Sequence, residues 1–277
     1  MPELPEVETM RRGVLPIVGA TIERVTRPRC RLRPILLSPA IAAFRRRAVG
    51  RRILAVDRLG KRVIVRLDSD DAIVLEPRMT GLVLLAEPPN ETHLRLVLEL
   101  SGVAASRLMF WDRRGLGSVR LLDRRRLEEA VVSRLGPDAL AVTCDALRER
   151  FRASRREVKV ALLDQQALAG VGNLYASEIL HLAGVHPQAR CHRLRKSQWS
   201  AIHKALREVL ELAILLEGST LSDGTYRNAL NESGGYQNHH RVYDRAGEPC
   251  PRCGDSPIRR IVQAQRSTFF CPRCQGR

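Results

Sequence analysis

The chain opens with the hexapeptide Met1-Pro2-Glu3-Leu4-Pro5-Glu6. If Met1 is removed, which the small neighbour Pro2 permits, a secondary amine stands at the start of the chain. An α-amino group titrates near pH ~7.7–8.0, well below lysine at ~10.4, so a useful fraction is an uncharged nucleophile at neutral pH. Attack of a secondary amine on the anomeric carbon of a sugar gives an iminium that cannot shed an N–H proton and so stays an electron sink. The stretch therefore predicts covalent catalysis by Pro2.

Two carboxylates belong to the same stretch. Glu3 adjoins Pro2, and Glu6 follows one helical turn later, so both are candidates to move protons in such a reaction. A second interpretation stays open, because a proline and glutamates in a first helical turn also serve as ordinary caps that complement the helix dipole. Either way, the hexapeptide predicts a helix over residues 5–15.

Length and composition indicate a folded protein with a cationic surface. The 277 residues allow about two domains, and the chain combines a net charge of +17 with 44% hydrophobic residues. Such a surface favours a polyanionic partner, of which nucleic acid is the usual one and an anionic membrane the alternative. No apolar run approaches the ~18 residues of a spanning helix, and the acidic start is unlike a signal peptide. We expect a soluble, cytoplasmic protein.

Lysine is rare among the 47 basic residues, occurring only at positions 61, 159, 196 and 204. In a chain that otherwise uses arginine, a remaining lysine can mark a site that needs a compact ammonium. Lys196 and Lys204 have the pattern of solvated helix positions, which leaves Lys61 and Lys159. Lys61 follows Gly60 at the start of a predicted strand, where it either faces a cleft or is an exposed strand-end charge.

Residues 1–132 are predicted to form a strand-rich domain. Period-two alternation and intervening turn residues predict a β-sandwich or flattened barrel, interrupted by a helical insert near 39–49. The predicted strands are Thr21–Thr26, Ile53–Arg58, Val63–Leu67, Ala72–Leu75, Leu82–Leu85 and Leu94–Leu100.

Two strand-ending loops of this domain combine apolar and cationic residues. They are Glu76–Gly81, which contains Met79, and Trp111–Gly117, which contains Leu116. An apolar side chain beside arginines in such a turn suits a wedge pushed into a base stack. Taken singly, each residue fits an ordinary exposed apolar residue better than a wedge.

From residue 145 onward the period changes to that of helices. We predict a linker over 133–144, a helical domain over 145–240 and a terminal module over 241–277. The expected helices are Asp145–Ala153, Val158–Gln165, Leu174–Ala183 and Ser197–Leu216.

Two segments of the helical domain lack a helical pattern. Gly170-Val171-Gly172-Asn173 predicts a phosphate cradle in which Asn173 caps the next helix, although such a sequence is also an ordinary tight turn. Residues 218–238 predict a mobile loop over a site or a plain linker.

The terminal module carries a metal-binding pattern. Cys250, Cys253, Cys271 and Cys274 form two Cys-x-x-Cys knuckles separated by 17 residues, which predicts a four-cysteine zinc ribbon. Disulfides are not expected in a reducing compartment. An iron site of the rubredoxin kind has similar knuckles and stays the alternative. The other cysteines, at positions 30, 144 and 191, are isolated and predicted to be packing residues.

Three separated stretches agree on one family. Met1–Thr9 (MPELPEVET), Gly170–Glu178 (GVGNLYASE) and Gln265–Cys274 (QRSTFFCPRC) together resemble the bacterial formamidopyrimidine-DNA glycosylases, in that family's order. The resemblance implies a multidomain α+β fold: a β-sandwich with an N-terminal helix, a helix-two-turns-helix domain and a zinc finger with one structural Zn²⁺. It also implies a monomer that acts on damaged double-stranded DNA, excises oxidised purines such as 8-oxoguanine, and cuts the strand as a lyase.

The resemblance assigns roles residue by residue. It makes Pro2 the Schiff-base nucleophile, Glu3 the proton donor and Glu6 a supporting carboxylate. Lys61 matches a phosphate-binding position of the catalytic site. The implied DNA-binding residues are Met79, His93, Arg113, Arg114, Leu116, Lys159, Asn173, Tyr175 and Arg266.

The sequence departs from the family at two positions. Relatives usually have phenylalanine after paired arginines in the second loop, where this chain has Gly115 and Leu116; Leu116 becomes the wedge, and either Arg113 or Arg114 faces the orphaned base. Glu76 stands where relatives commonly have histidine. Two alternatives stay open: an endonuclease VIII-type glycosylase for oxidised pyrimidines, and a zinc-ribbon DNA-binding protein without catalysis.

Overall fold

The computed structural model describes residues 2–222 and 224–276. Met1, whose removal the small neighbour Pro2 permits, lies outside the described residues, as does residue 223 within the predicted mobile loop. The chain divides into two compact units. The first unit comprises Met1–Ser133 and Leu216–Gly235, and the second comprises Arg134–Leu215 and Tyr236–Arg277.

The first unit contains three α-helices and nine strands among its described residues. The helices are α1 (Leu4–Gly13), α2 (Ile41–Ala48) and α3 (Arg124–Ala130). The strands are β1 (Thr21–Thr26), β2 (Leu36–Ser38), β3 (Ile53–Leu59), β4 (Arg62–Leu67), β5 (Ala72–Glu76), β6 (Gly81–Leu84), β7 (Leu94–Ser101), β8 (Arg107–Asp112) and β9 (Ser118–Leu122).

The strands form two sheets, as the prediction of a sandwich requires. One sheet has the order β1-β7-β8-β6 and the other the order β2-β9-β5-β4-β3. All pairs are antiparallel except β2 with β9. Apolar side chains of both sheets belong to one buried core, which also contains Val7 and Met10 of α1 and Tyr226 of the segment 216–235. The segment is therefore part of the first unit's core.

The second unit is helical and ends in a β-hairpin. Its helices are α4 (Cys144–Phe151), α5 (Val158–Leu162), α6 (Asn173–Ala183) and α7 (Lys196–Leu215), and its strands are β10 (Arg259–Gln263) and β11 (Arg266–Phe270). Trp199 of α7 stacks on Phe151 of α4 with ring centroids 5.8 Å apart. None of the helices in the described part of the chain is long and apolar enough to span a bilayer.

Several elements were not predicted from the sequence. Strands β2, β8 and β9 and helix α3 lie where no element was expected, and α5 ends three residues earlier than predicted. Most of the residues of β8 are buried on both faces, so the alternation that marks a half-buried strand is missing. The domain boundaries at 132, 144 and 240 remain predictions; within the second unit, Asp138 forms a bridge with Ala169 and Ala139 is buried.

Candidate active site and nucleic-acid interface

The predicted catalytic residues of the N-terminus lie at the start of α1. Pro2 is buried, and Glu3 is the N-cap residue of the helix. Glu3 and Glu6 form a capping box: the Glu3 side chain accepts a backbone N–H of the first turn, and Glu6 Oε2 accepts the Glu3 N–H at 2.9 Å. The ordinary capping interpretation is thus correct for this stretch, and it is compatible with chemistry because it fixes both carboxylates beside Pro2 in the chain.

Glu6 also holds the segment 216–235. Its Oε1 accepts the backbone N–H of Ser219 at 2.9 Å, and its side chain is only 2% exposed. Gly218, with φ +81°, lies against it, since a Cβ at Gly218 would come within 2.9 Å of Glu6 Cγ. Because one carboxylate oxygen of Glu6 accepts the Glu3 N–H and the other accepts the Ser219 N–H, both oxygens are engaged. This geometry suits Glu6 to positioning the helix start rather than to proton transfer.

Further hydrogen bonds hold the described part of the predicted mobile loop. The buried Tyr226 hydroxyl donates to the carbonyl of Glu217 at 2.9 Å, and burial raises the pKa of Tyr226 well above its usual value. Asn228 Nδ2 donates to the carboxylates of Glu217 and Glu232, while its Oδ1 accepts the N–H of Leu230. The loop therefore has an ordered conformation built on Glu6, Tyr226 and Asn228, and its mobility stays a prediction.

Lys61 lies in the two-residue turn that joins β3 to β4 and is half-buried. Gly60 precedes it with φ +56°, as a tight hairpin turn requires. Beneath this hairpin, Glu8 of α1 pairs with Arg58 at 3.1 Å and with Arg11 at 2.8 Å. Burial raises the pKa of Glu8, but the hydrogen bonds from Arg11 and Arg12 and the positive charges of Arg11 and Arg58 outweigh it and leave the pKa lowered.

Glu76, which the resemblance sets where relatives commonly have histidine, pairs with arginines. Its carboxylate accepts a hydrogen bond from the Arg62 guanidinium at 3.1 Å and one from the Ser118 hydroxyl at 3.3 Å. The Arg78 guanidinium lies 3.6 Å from the same carboxylate. A carboxylate at this position repels phosphate by itself, so its local role is to hold these cations at the end of β5.

The two predicted wedge loops lie side by side. The loop 77–80 joins β5 to β6 and the loop 113–117 joins β8 to β9. Glu76 pairs with Ser118 in one sheet and Gly81 with Asp112 in the other, so both loops cross between the sheets at the same end of the sandwich. Met79, Arg113 and Arg114 are exposed and Leu116 is half-buried.

His93 lies next to these loops. Its ring packs edge-on against Trp111 with centroids 5.3 Å apart, and its backbone carbonyl accepts the N–H of Asp112. Burial lowers the pKa of His93, and the charges of Arg95 and Arg113 lower it further.

In the second unit, the structure departs from the sequence prediction at Asn173 and Lys159. The N-cap of α6 is Gly172, and the Asn173 side chain is turned away from the cap. Asn173 Oδ1 accepts from Lys159 Nζ at 2.7 Å, and Asn173 Nδ2 donates to the carbonyl of Ser267 at 3.0 Å. The prediction that Asn173 caps the helix is wrong, because its amide is used to join α6 to β11.

Lys159 is buried, with 1% of its surface exposed. Besides Asn173, its ammonium donates to Thr268 Oγ1 at 2.7 Å and to the carbonyl of Ser267 at 3.1 Å. An ammonium has three protons, and these three acceptors use all of them. Direct contact with DNA, as the sequence suggested for Lys159, is therefore at odds with its burial; its geometry is that of a support for Asn173.

The remaining predicted DNA-binding residues differ in exposure. Tyr175 is fully buried on α6 and packs against Tyr236 with ring centroids 5.6 Å apart. Arg266 is exposed at the tip of the β10–β11 hairpin, directly after the turn residues Ala264 and Gln265, which have positive φ. Arg266 is thus free to reach out from the hairpin, whereas Tyr175 has a packing role.

The four cysteines of the terminal module converge on one site. Their sulfur atoms all lie within 4.8 Å of one another, with Cys250 and Cys274 3.8 Å apart and Cys253 and Cys271 3.7 Å apart. Four Zn–S bonds of about 2.3 Å in a tetrahedron separate the sulfurs by about 3.8 Å, so the residues fit zinc. The module binds one zinc ion, and four thiolates leave no open coordination position for water.

Buried polar groups that the sequence did not single out attach the zinc module to α6. Glu178 accepts the backbone N–H groups of Arg241, Val242 and Tyr243 at 2.8–3.0 Å, and His181 Nε2 lies 3.3 Å from Cys250 Sγ. The only sequence signal was the position of Glu178 in the stretch Gly170–Glu178, which carried the family resemblance.

Comparison with known proteins gives consistent matches along the chain. Family models described as "Formamidopyrimidine-DNA glycosylase N-terminal domain", "Formamidopyrimidine-DNA glycosylase H2TH domain" and "Zinc finger found in FPG and IleRS" match residues 1–119, 135–225 and 247–276. A formamidopyrimidine-DNA glycosylase of Chloroflexus aurantiacus is 43% identical, over 99% of this chain and 98% of the relative.

Two solved structures are similar over nearly the whole chain. The crystal structure of MutM (Fpg) from Thermus thermophilus has a TM-score of 0.86 and 39% identity, covering 99% of both chains. A mutant of the Lactococcus lactis Fpg in complex with Fapy-dG-containing DNA has a TM-score of 0.88 and 33% identity, covering all of both chains.

Proposed function

Because this chain belongs to the formamidopyrimidine-DNA glycosylase family, we propose that it is a bifunctional DNA glycosylase and lyase of base excision repair that removes oxidised purines. The substrates are 8-oxoguanine and formamidopyrimidine residues in double-stranded DNA. The observation that carries the proposal is the start of α1, where Glu3 and Glu6 are buried and fixed next to Pro2 by the capping box. The Lactococcus lactis relative in complex with Fapy-dG-containing DNA supports the purine branch.

The first chemical step belongs to Pro2. After removal of Met1, the lone pair of the Pro2 nitrogen forms a bond to C1′ of the damaged nucleotide, and the glycosidic bond breaks with its electron pair leaving on the base. The Pro2 nitrogen then loses its N–H proton, which the departing base takes up. Glu3 gives its proton to the ring oxygen, which opens the sugar and produces the iminium. The fixed position of Glu3 as the helix N-cap supports this role, because general acid catalysis needs the donor within hydrogen-bond reach of the proton acceptor.

The strand is then cut by elimination. The iminium withdraws electrons from the C2′–H bond, so loss of a proton from C2′ expels the 3′ phosphate, and loss of a proton from C4′ in a second elimination expels the 5′ phosphate. Glu6 acts as the supporting carboxylate that fixes the helix start and the segment 216–235 around Pro2. Lys61 in the β3–β4 turn and Asn173 at the start of α6 hold backbone phosphates.

DNA is held and opened by residues of the two wedge loops and of the hairpin tip. Met79 and Leu116 fill the void left by the extruded nucleotide, Arg113 and Arg114 contact the orphaned base, and Arg266 binds at the finger. Their placement on two adjacent loops and a hairpin tip supports these roles. The zinc ion is structural and holds the hairpin that carries Arg266. We propose that the protein acts as a cytoplasmic, nucleoid-associated monomer.

Trapping with borohydride tests the proposal. On an 8-oxoguanine duplex, wild-type protein is expected to form a covalent protein–DNA adduct, and Pro2→Gly should form it far more slowly. Glu3→Gln should lose base excision. A Pro2→Gly variant that crosslinks as fast as wild type would refute the assignment, and full excision by Glu3→Gln would remove the acid role.

A substrate panel separates the remaining alternatives. A protein of the purine branch is expected to be trapped on 8-oxoguanine duplexes and far less on thymine glycol duplexes. The reverse order would assign it to the endonuclease VIII type, and DNA binding without any adduct would mean a non-catalytic protein.

A further inference from the structure

Asp112 is a buried carboxylate that the proposed chemistry does not use. It is the last residue of β8, directly before the loop 113–117, and no part of its surface is exposed. Among the described residues it takes part in no ion pair; its backbone carbonyl accepts from Arg95 Nε at 2.9 Å. Burying a carboxylate without a cation is costly unless several donors satisfy it, so its hydrogen bonds indicate what it does.

The Asp112 carboxylate joins the two wedge loops. Its Oδ1 accepts the Thr80 hydroxyl at 2.5 Å, and Thr80 belongs to the loop 77–80 that carries Met79. Its Oδ2 accepts the backbone N–H of Gly117 at 2.8 Å, on the far side of Leu116. One carboxylate therefore holds both loops at the residues next to their apolar tips.

Thr80 strengthens the connection. Its hydroxyl oxygen accepts the backbone N–H of Arg114 at 3.0 Å, and the same N–H also approaches Asp112 Oδ1 at 3.2 Å. Thr80 is 2% exposed, so water does not compete for these bonds. Arg114 is thereby fixed at its backbone while its side chain stays exposed.

The loop 113–117 is also fixed from outside. Gly115 has φ +62°, and a Cβ on it would lie 2.1 Å from the carbonyl oxygen of Arg33. The backbone of the loop is thus pressed against a neighbouring segment at Gly115. Rotation of the Leu116 and Met79 side chains is possible, but independent movement of the two backbones breaks buried hydrogen bonds.

We propose that Asp112 and Thr80 are positioning residues that couple the two loops, so that Met79 and Leu116 enter the base stack as one probe. The proposal rests on the proposed function of these loops in opening damaged DNA. Satisfied buried polar networks fix one geometry because breaking one member leaves the others unpaired. A smaller wedge than phenylalanine gains most from such coupling, since Leu116 alone fills less of the void.

The matched variants are Thr80→Val and Thr80→Ser. Valine keeps the shape of threonine without the hydroxyl, whereas serine keeps the hydroxyl. The readouts are the single-turnover excision rate and the fluorescence rise of 2-aminopurine placed beside the lesion, which reports insertion of the probe. Thr80→Val is expected to slow both by about tenfold, as the loss of one charge-assisted hydrogen bond predicts, while Thr80→Ser stays near wild type.

A double-mutant cycle distinguishes coupling from general loss of structure. The effects of Met79→Ala and Leu116→Ala on the excision rate should be strongly non-additive in a background that retains Thr80 and additive in Thr80→Val. Thermal unfolding of each variant verifies that it is folded at the assay temperature. Equal coupling in both backgrounds, or equal rates of Thr80→Val and Thr80→Ser, would overturn the inference. Failure of the proposed function itself appears separately, as absence of an adduct with wild-type protein.

Discussion

At the scale of single residues, the most informative side chain is Glu6. Its two oxygens accept backbone N–H groups from Glu3 and Ser219, which belong to parts of the chain more than 200 positions apart. A glutamine offers one acceptor oxygen, and its amide N–H₂ would face the second donor. The glutamate therefore satisfies a geometry that its neutral analogue cannot.

The first prediction concerns Glu6→Gln. Base excision should fall at least about tenfold, because one buried N–H loses its partner at a cost of about 1–3 kcal/mol and the segment 216–235 is released. Affinity for a duplex with a non-cleavable lesion analogue should change little. Limited proteolysis should cut near Ser219 faster than in wild type or in the exposed control Glu91→Gln. Unchanged excision and unchanged proteolysis would contradict this role.

The second prediction concerns Lys159→Met. The ammonium binds Asn173, Ser267 and Thr268 inside the protein, so its loss should lower the free energy of unfolding by about 3 kcal/mol and weaken DNA binding through misplaced Asn173. The slope of log K against log salt concentration should stay unchanged. The control is Lys204→Met, an exposed position on α7.

A lysine that contacts phosphate directly gives a different result. Its removal flattens the salt slope by about 0.9, because one fewer counterion is released. A flatter salt slope in Lys159→Met, with an unchanged free energy of unfolding, would mean that Lys159 contacts DNA directly. The sequence identified Lys159 by its rarity, but rarity does not reveal burial, which depends on how β11 packs on α5 and α6.

At the scale of elements, the β10–β11 hairpin depends on its metal. Among its described residues, the apolar cluster of the module consists of Val242, Ile258, Phe269 and the cysteines, with Tyr243 packed against it. Such a core is too small to fold without a ligand. The hairpin also supplies Ser267 and Thr268 to Lys159. Loss of the metal should therefore displace Asn173 as well as Arg266.

The third prediction concerns Cys253→Ser. The variant should lose bound zinc and most of its affinity for lesion DNA, as measured by elemental analysis and titration. Cys144→Ser, at the start of α4, keeps all four ligands and is expected to retain about one zinc per chain. One zinc per chain in Cys253→Ser would contradict a four-thiolate site.

The fourth prediction concerns His240, which follows the short 3-10 turn Tyr236–His239. Its ring contacts Tyr236 and Tyr243, and burial, aided by the charge of Arg245, lowers the pKa of His240 from 6.5 to about 4. Between these values the unfolded chain binds more protons than the folded one. The stability contribution is therefore complete above about pH 6.5 and is lost as the pH falls toward 4.

The measurement is the free energy of unfolding of the zinc-loaded protein at pH 7.0 and 5.5. His240→Phe should lose less stability over this interval than wild type, because phenylalanine does not titrate. Equal losses in the two proteins would contradict a half-buried, neutral His240.

The sequence predicted elements well wherever a period was visible. Strands β1 and β3 to β7 and the four helices of the second unit lie where alternation or helical period predicted them. Strand β9 was missed although it lies inside a sheet, since its burial on both faces removes the alternation. Missing β8 and β9 also hid the adjacency of the two wedge loops, because that adjacency follows from the pairing of these strands.

At the scale of the whole molecule, the class of binding partner and the zinc ligands were predictable from the sequence, whereas the buried hydrogen-bond networks were not. The net charge of +17 indicated a polyanionic partner, and the zinc ligands followed from spacing, because both depend only on composition and local sequence. The network of Asp112 and Thr80 and the support of Asn173 by Lys159 were not predictable. They join residues from 14 to 109 positions apart and exist only through the fold.

The central claim is that the processed N-terminus forms the covalent bond to deoxyribose. The most direct measurement is peptide mapping by mass spectrometry of the adduct that borohydride traps on an 8-oxoguanine duplex. The account predicts a reduced sugar on the N-terminal peptide that starts at Pro2, with Met1 absent. An adduct on Lys61 or another lysine, or active protein that still carries Met1, would contradict it.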